Sequence, residues 1–325
     1  MSASRASVQA QRPESVVGHI EKRPPRPQLN KRLVPYLFIA PAVIFELLIH
    51  IIPMLVGIAI SLIGLTLFYI HYWTQAPFIG LQNYKVALNF SGASGSALLH
   101  SFLITVGYTI LVVGGAWILG MAAALLMNGN FRGRGLFRTL FLIPFALPAY
   151  IEVITWSFML QKDNGAVNAL LSALHVANPP FWLVGSNAFW SMVMTAIWRS
   201  WPFAFLFLLA GLQTIPGDMY EAASLDGASK WRQFLAITLP MLRPVNVVLL
   251  LVTFLWTFND FNTPFVLFGA APPPAADLLS LHIYVNSFIN WNFGLGSAMS
   301  VLLLIFLFIV SLIYLGIFQV GGEAE

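Results

Sequence analysis

The chain has 325 residues, 58% of them hydrophobic and only 9% charged, and its mean hydropathy is +0.81. A soluble domain carries about a quarter charged residues, so this composition excludes a water-soluble globular protein and requires lipid as solvent. The absence of cysteine excludes disulfides, thiolate nucleophiles and cysteine metal sites, and the formal charge of +4 is explained below by topology.

Residues 1–32 are polar, with seven basic side chains and Pro24, Pro25 and Pro27. They contain no apolar core ending in a small-residue cleavage site, so they read as a disordered, basic cytoplasmic tail and not as a signal peptide. A helix needs about 20 mostly apolar residues to cross the hydrocarbon core. Six stretches qualify: Leu33–Leu67, Ser101–Met127, Gly135–Leu160, Ala188–Leu212, Val245–Phe268 and Ser297–Phe318. The expected fold is therefore all-α, a membrane protein of six transmembrane helices over residues 33–320.

The first stretch is long enough for a hairpin broken at Pro41 or Pro53, and charge decides between the two readings. Cytoplasmic loops are enriched in Lys and Arg. With a single span there, the N-terminus shares a side with Arg132, Arg134 and Arg138 and with Lys230, Arg232 and Arg243. The opposite side keeps only Lys85 and Lys162, and Arg199 falls inside the fourth span. A hairpin destroys this bias. One long first helix, with both termini cytoplasmic, is the expected topology. Positive charge thus marks the inner loops; no basic stripe interleaved with aromatics points to nucleic acid. On the outer side, Leu278–Phe288 is apolar but too short to span and reads as an interfacial helix, with Trp182, Trp190 and Trp291 as interface anchors.

The inner loop from Pro216 to Pro244 is too long for a simple connection. Pro216-Gly217 is a turn signal, Asp218 and Glu221 have capping-box spacing, and the first helix runs to about Leu225. Asp226-Gly227 is a turn suited to a left-handed helix end. Ser229 can cap a second helix, Lys230–Leu239, which is expected to stop at Pro240. Trp231, Phe234, Leu235 and Ile237 are its apolar anchors, for a partner's groove or for the chain's own bundle.

Glu221-Ala222-Ala223, Gly227 and then Ile237, Leu239 and Pro240 resemble the EAA loop of binding-protein-dependent ABC importer permeases, with the spacing matched throughout. Phe78-Ile79-Gly80-Leu81-Gln82-Asn83-Tyr84 is similar to the F-x-G-L-x-N-Y segment of the maltose and glycerol-3-phosphate type sugar permeases. Gly133–Arg138 resembles the loop entering their third core helix, and Leu281–Tyr284 their L-x-I-Y segment. One departure stands out: Phe268-Gly269-Ala270-Ala271-Pro272 replaces a frequent Thr-x-Gly-Gly-Pro.

The resemblance covers roughly residues 31–318. It implies a type I ABC importer permease-like bundle in a bacterial-type inner membrane. It implies a second homologous permease subunit, two ATP-binding subunits, an extracytoplasmic solute-binding protein and a sugar substrate, with no cofactor on this chain. The EAA helices would dock on an ATPase whose nucleotide-driven closure switches the bundle between inward-open and outward-open. No glycine-rich phosphate loop occurs, since none of Lys22, Lys31, Lys85, Lys162 and Lys230 follows a glycine. The chain is therefore expected to be a transport subunit and not an enzyme. Permeases for glycerol-3-phosphate or another organic solute, and a membrane enzyme or scaffold without a solute path, remain as rivals.

Ionisable groups at membrane depth are candidates for function by default. Glu46 and His50, one turn apart, read as a local pair. Tyr150, Glu152 and Thr155 follow Pro144 and Pro148, which can open the third helix. Arg199, Ser200 and Phe203 lie on the fourth. Thr253, Thr257 and Asp260 share one face of the fifth, with Asn259 and Asn262 nearby. Hydroxyls and amides among aromatic faces suit a neutral, hydroxyl-rich solute. The competing reading is that the threonines bond their own backbone and that Arg199 pairs with Glu152 or Asp260 as glue between helices. Gly114, Gly115, Gly120 and Ala124 read as close-packing residues.

Overall fold

The computed structural model describes residues 34–320, so the 1–32 tail lies outside the described residues. The chain divides at Pro53 into two units. In the first, α1 (Val34–Glu46) runs through Pro41 into a π-helical turn, Leu47–Ile51. The expected pair forms there, with Glu46 Oε2 3.2 Å from His50 Nδ1.

The second unit, from Met54, takes up most of α2 (Ile52–Ser61) and continues with α3 (Gln82–Leu88) and the long α4 (Ala93–Asn128). Three short helices follow: α5 (Arg134–Phe141), α6 (Ile143–Ala146) and α7 (Ala149–Met159). Next come α8 (Ala166–Ala173), α9 (Asn187–Leu212), α10 (Gly217–Leu225), α11 (Lys230–Gln233) and α12 (Leu239–Met241). The chain continues through α13 (Arg243–Phe258), α14 (Asn262–Phe268), α15 (Leu279–Tyr284) and α16 (Phe293–Val320). Among the described residues no strand forms; a single antiparallel bridge joins Ile63 and Phe78.

Among the described residues, five stretches are long and apolar enough to cross a membrane: Pro35–Ser61, Ala93–Asn128, Asn187–Leu212, Arg243–Phe268 and Phe293–Phe318. The first is helical across both prolines, as the charge argument requires. Gly135–Leu160, expected as one span, is instead cut into α5, α6 and α7. The backbone breaks at Leu142 and again at Leu147, whose ψ of 143° is extended. The second break has a local cause, because the ring of Pro148 pushes the preceding residue out of the helical region.

The centre of the second unit is the contact of α4 with α9. It is closed by Met121, Ala124, Phe205, Leu208 and Leu212, with Leu249 of α13. Without a hydrophobic drive between helices in lipid, small residues that permit close approach decide such contacts. A Cβ on Gly120 would lie 2.7 Å from Ala204 Cβ, and one on Gly115 would lie 2.5 Å from Ile197 Cδ1. Gly114 differs from the expectation: it faces open space and packs on nothing. A second cluster of rings ties α4 and α13 to α16, with Phe102 edge-on to Phe258 and Phe306, which are tilted on each other.

The segments singled out in the sequence act as local clasps. Gly80 takes a positive φ of 56°, and Asn83 Nδ2 donates to the carbonyls of Ser61 (2.9 Å) and Ile63 (3.0 Å). Tyr84 Oη meets Ser61 Oγ at 2.6 Å, so this segment fastens the end of α2. Gly133 is left-handed at φ 88°, which lets Arg138 turn back and donate to the Met127 carbonyl at 2.7 Å. The outer apolar stretch is helical over Leu279–Ile289 but does not simply lie on a surface. Leu279, Leu281 and Ile283 are buried, and the Leu279 amide donates to Thr105 Oγ1 of α4 at 2.8 Å.

Gly120→Val overpacks the α4–α9 contact and is expected to cost about 1–3 kcal/mol. Gly114→Val, in open space, is expected to be near neutral. Thermal unfolding of the two purified variants in the same detergent measures the difference.

Candidate functional site

The fifth span is interrupted where chemistry-bearing residues gather. Helix α13 ends at Phe258, and α14 restarts at Asn262. Asp260, 6% exposed, sits in the break. Its Oδ1 accepts the Thr263 backbone amide at 3.1 Å, as a side chain at the head of a helix does. Its Oδ2 accepts three more donors: Thr263 Oγ1 at 2.6 Å, Tyr108 Oη at 2.7 Å and Arg199 Nη2 at 2.9 Å. Ser280 Oγ donates to the Asp260 carbonyl at 2.7 Å. One carboxylate thus joins α4, α9 and α14, and the carbonyl of the same residue adds α15. Of the two partners open to Arg199, the structure selects Asp260.

Tyr108, Thr263 and Ser280 were not singled out from the sequence. Tyr108 lies mid-span among apolar neighbours, and only the crossing of α4 with α9 brings it to Asp260. Thr263, three residues beyond an Asp, carried a usable signal, the spacing of a side-chain cap.

Beside this hub lies a cavity of about 920 Å³. Eight of the nine expected pathway residues line it: Glu152, Arg199, Ser200, Phe203, Thr253, Thr257, Asn259 and Asp260. Tyr150 does not; its side chain is exposed elsewhere on α7. Thr253 Oγ1 donates to the Leu249 carbonyl at 2.7 Å, and Asn259 Nδ2 to Leu255 at 2.9 Å, so both are partly committed to their own helix. The aromatic wall is continuous: the ring of Phe203 lies 5.6 Å from Phe145 and 5.0 Å from Trp256. Glu152, 1% exposed, has no hydrogen-bond partner on either carboxylate oxygen among the described residues.

The Pro216–Pro244 loop forms two helical pieces, with corrections at both ends. Helix α10 starts at Gly217, and Asp218 lies inside its first turn; no side chain caps its start. An acidic residue there still complements the helix dipole. Gly227 is left-handed at φ 76°, and the Ala228 amide reaches back to the Ala223 carbonyl at 2.9 Å. Ser229 does cap the next helix, accepting from the Arg232 amide at 3.3 Å. That helix does not stop at Pro240. It widens into a π-helical stretch, Phe234–Thr238, and continues through Pro240 to Met241. The wider turn removes the conflict with the missing proline N–H.

The loop is braced internally. Gln233 Nε2 donates to Ser224 Oγ (2.9 Å) and the Ala228 carbonyl (3.1 Å), and Tyr220 Oη meets Thr238 Oγ1 at 2.9 Å. Phe234 and Ile237 pack on the bundle, whereas Trp231 (67%), Leu225 (89%) and Leu235 stay exposed. Glu221, Ala222, Gly227 and Pro240 are exposed as well, with Ala223 and Leu239 half-buried.

Helices broken beside a mid-bundle cavity, with a braced helical loop at one end, define a transport permease more readily than a membrane enzyme. The family model for the inner membrane component of binding-protein-dependent transport systems matches residues 116–319. The chain belongs to that family, and is an inner-membrane permease of the ABC importer type. It is 36% identical over 281 residues to the trehalose/maltose transport system permease protein MalF of Thermococcus litoralis, covering 86% of this chain and 92% of that one. It is 30% identical to the sn-glycerol-3-phosphate transport system permease protein UgpA of Agrobacterium fabrum, over 84% of this chain and 90% of the relative. The fold matches a chain in the crystal structure of a bacterial ABC transporter involved in import of the acidic polysaccharide alginate. That match has a TM-score of 0.74 at 20% identity and covers 89% of this chain and 96% of that chain.

Asp260→Ala leaves a buried guanidinium unpaired and is expected to destabilise the protein by about 3–5 kcal/mol. Arg199→Met with Asp260→Leu removes both charges and is expected to recover at least half of that loss. Thermal unfolding of the two purified variants checks the pair.

Proposed function

We propose that this chain is the permease subunit that carries a sugar through an ATP-driven importer by alternating access. The observation that carries the reading is the cavity of about 920 Å³ beside the broken fifth span, walled by Phe145, Phe203 and Trp256 and studded with hydroxyl and amide groups. A flat hydroxyl-rich solute offers apolar faces to rings and donors to such groups. In this reading Glu152, Arg199, Ser200, Phe203, Thr253, Thr257, Asn259 and Asp260 form the pathway wall, and Tyr150 lies at its approach on α7.

The three short helices α5, α6 and α7 together make a sixth crossing, and both chain ends lie on the cytoplasmic side. The basic side chains of the α4–α5 and α10–α12 loops support that side. A bundle of six crossings encloses half a pore, so a second, homologous permease chain completes it. ATP hydrolysis belongs to two further subunits, and an extracytoplasmic binding protein delivers the solute. The exposed side of α10–α12 is the ATPase contact: Glu221, Ala222, Ala223 and Gly227 at its bend, and Ile237, Leu239 and Pro240 where it joins α13. Its bracing by Gln233 and Tyr220 suits a segment that transmits a push.

The complex, reconstituted in liposomes with its neighbouring subunits, is tested for ATPase stimulation by neutral sugars and by glycerophosphate. Stimulation by a neutral sugar supports the reading; stimulation by glycerophosphate alone overturns the sugar assignment. Gly227→Trp, at a left-handed, exposed position, is expected to insert normally but to lose at least nine-tenths of the sugar-stimulated ATPase. Coupling equal to that of the unsubstituted chain would sink the loop assignment.

A further inference from the structure

Three charged side chains line the cavity: Glu152, Arg199 and Asp260. Two of them cancel. Arg199 and Asp260 are 2.9 Å apart, the Asp260 side chain is only 3% exposed, and Tyr108 and Thr263 fill its remaining acceptor sites. The guanidinium therefore brings no unbalanced positive charge to a solute.

Glu152 is left over. It comes from α7, immediately after the Pro148 break, and is 1% exposed with both carboxylate oxygens unpartnered among the described residues. A buried carboxyl group without donors is costly, and a fold that keeps one has a use for its acceptors. Adjacent sugar hydroxyls present two donors side by side, which a carboxylate accepts with both oxygens. The rings of Phe145, Phe203 and Trp256 line the same cavity and offer the apolar face such a solute needs.

We propose that Glu152 is the selectivity residue of this permease, taking hydroxyl donors from a polyhydroxylated solute without negative charge and rejecting anionic ones. The proposal rests on the sugar reading above and deepens it. A phosphate- or sulfonate-bearing solute meets no free cation in this lining. Whether or not Glu152 carries its proton, the cavity holds no positive charge that Asp260 does not already balance. An ionised Glu152 adds direct repulsion. Selection by an unpaired acceptor also rejects a solute lacking the donor, because the carboxylate is then left buried and unmet.

The test uses the complete transporter in liposomes, with the binding protein saturating so that the permease sets the rate. Uptake of labelled maltose, trehalose, glucose, sorbitol and glycerol-3-phosphate is compared for the unsubstituted chain, Glu152→Gln and Glu152→Asp. The unsubstituted chain is expected to carry at least one neutral solute and no glycerol-3-phosphate. Glu152→Gln is expected to co-purify with its partner subunits and to lose neutral-solute uptake about tenfold, the effect of one hydrogen bond to a charged acceptor. Glu152→Asp, which keeps the carboxylate, is expected to restore at least half.

Neutral uptake within twofold of normal in Glu152→Gln overturns this inference and leaves the sugar reading intact. Loss of uptake that Glu152→Asp does not restore, or loss of co-purification in both variants, assigns Glu152 a structural role and also overturns it. Uptake of glycerol-3-phosphate alone by the unsubstituted chain overturns the sugar reading and this inference together.

Discussion

The arrangement of the bundle depends on one buried carboxylate. Asp260 sits where the fifth span is broken, and it gathers donors from Tyr108 on α4, Arg199 on α9 and Thr263 on α14. In lipid, an interrupted helix leaves backbone groups that water cannot satisfy. Here the side chain at the break caps the restart, and Ser280 takes up the carbonyl. The break is thus stable, and it opens room for the cavity. The same charge pairing makes Arg199 a tie between α9 and the break of the fifth span.

A second constraint is close approach. At Gly120 the backbones of α4 and α9 approach to a distance that admits no side chain, and at Gly115 the space is taken by the Ile197 side chain. The same pair of helices carries Tyr108 and Arg199 to Asp260. Interhelical hydrogen bonds are modest in membranes, about 0.6 kcal/mol on average. Glycine contacts and the charged hub therefore act together, the first setting distance and the second setting register.

The Pro216–Pro244 loop works by a different logic. Two of its apolar side chains, Phe234 and Ile237, anchor it to the bundle, and three, Trp231, Leu225 and Leu235, remain exposed. The sequence left docking on a partner and packing under the bundle as alternatives; the fold divides the residues between them. Gly227, held left-handed, and the bonds of Gln233 fix the angle between the two helical pieces.

Composition and charge by themselves determined the membrane class, because no arrangement of 58% hydrophobic and 9% charged residues can be covered in water. Local signals gave the two short helices after Pro216, since turn glycines and caps act over a few residues: Gly227 and Ser229 do what their types predict. The stretches Ala188–Leu212 and Val245–Phe268 were legible from apolar length, and eight lining residues of the cavity from the polar and aromatic groups set in or near such stretches. What the sequence left open was of two kinds, how prolines act within a stretch and which groups far apart along the chain meet. Apolar length cannot show that Pro148 cuts the third stretch, that a π-helical turn carries a helix through Pro240, or that Gly114 packs on nothing. It cannot show which acid Arg199 chooses, because Glu152 and Asp260 are equally plausible until helices cross. Only the tertiary structure, by crossing α4 and α9 at the break of the fifth span, decided that Arg199 pairs with Asp260 and that Glu152 is left without a hydrogen-bond partner among the described residues.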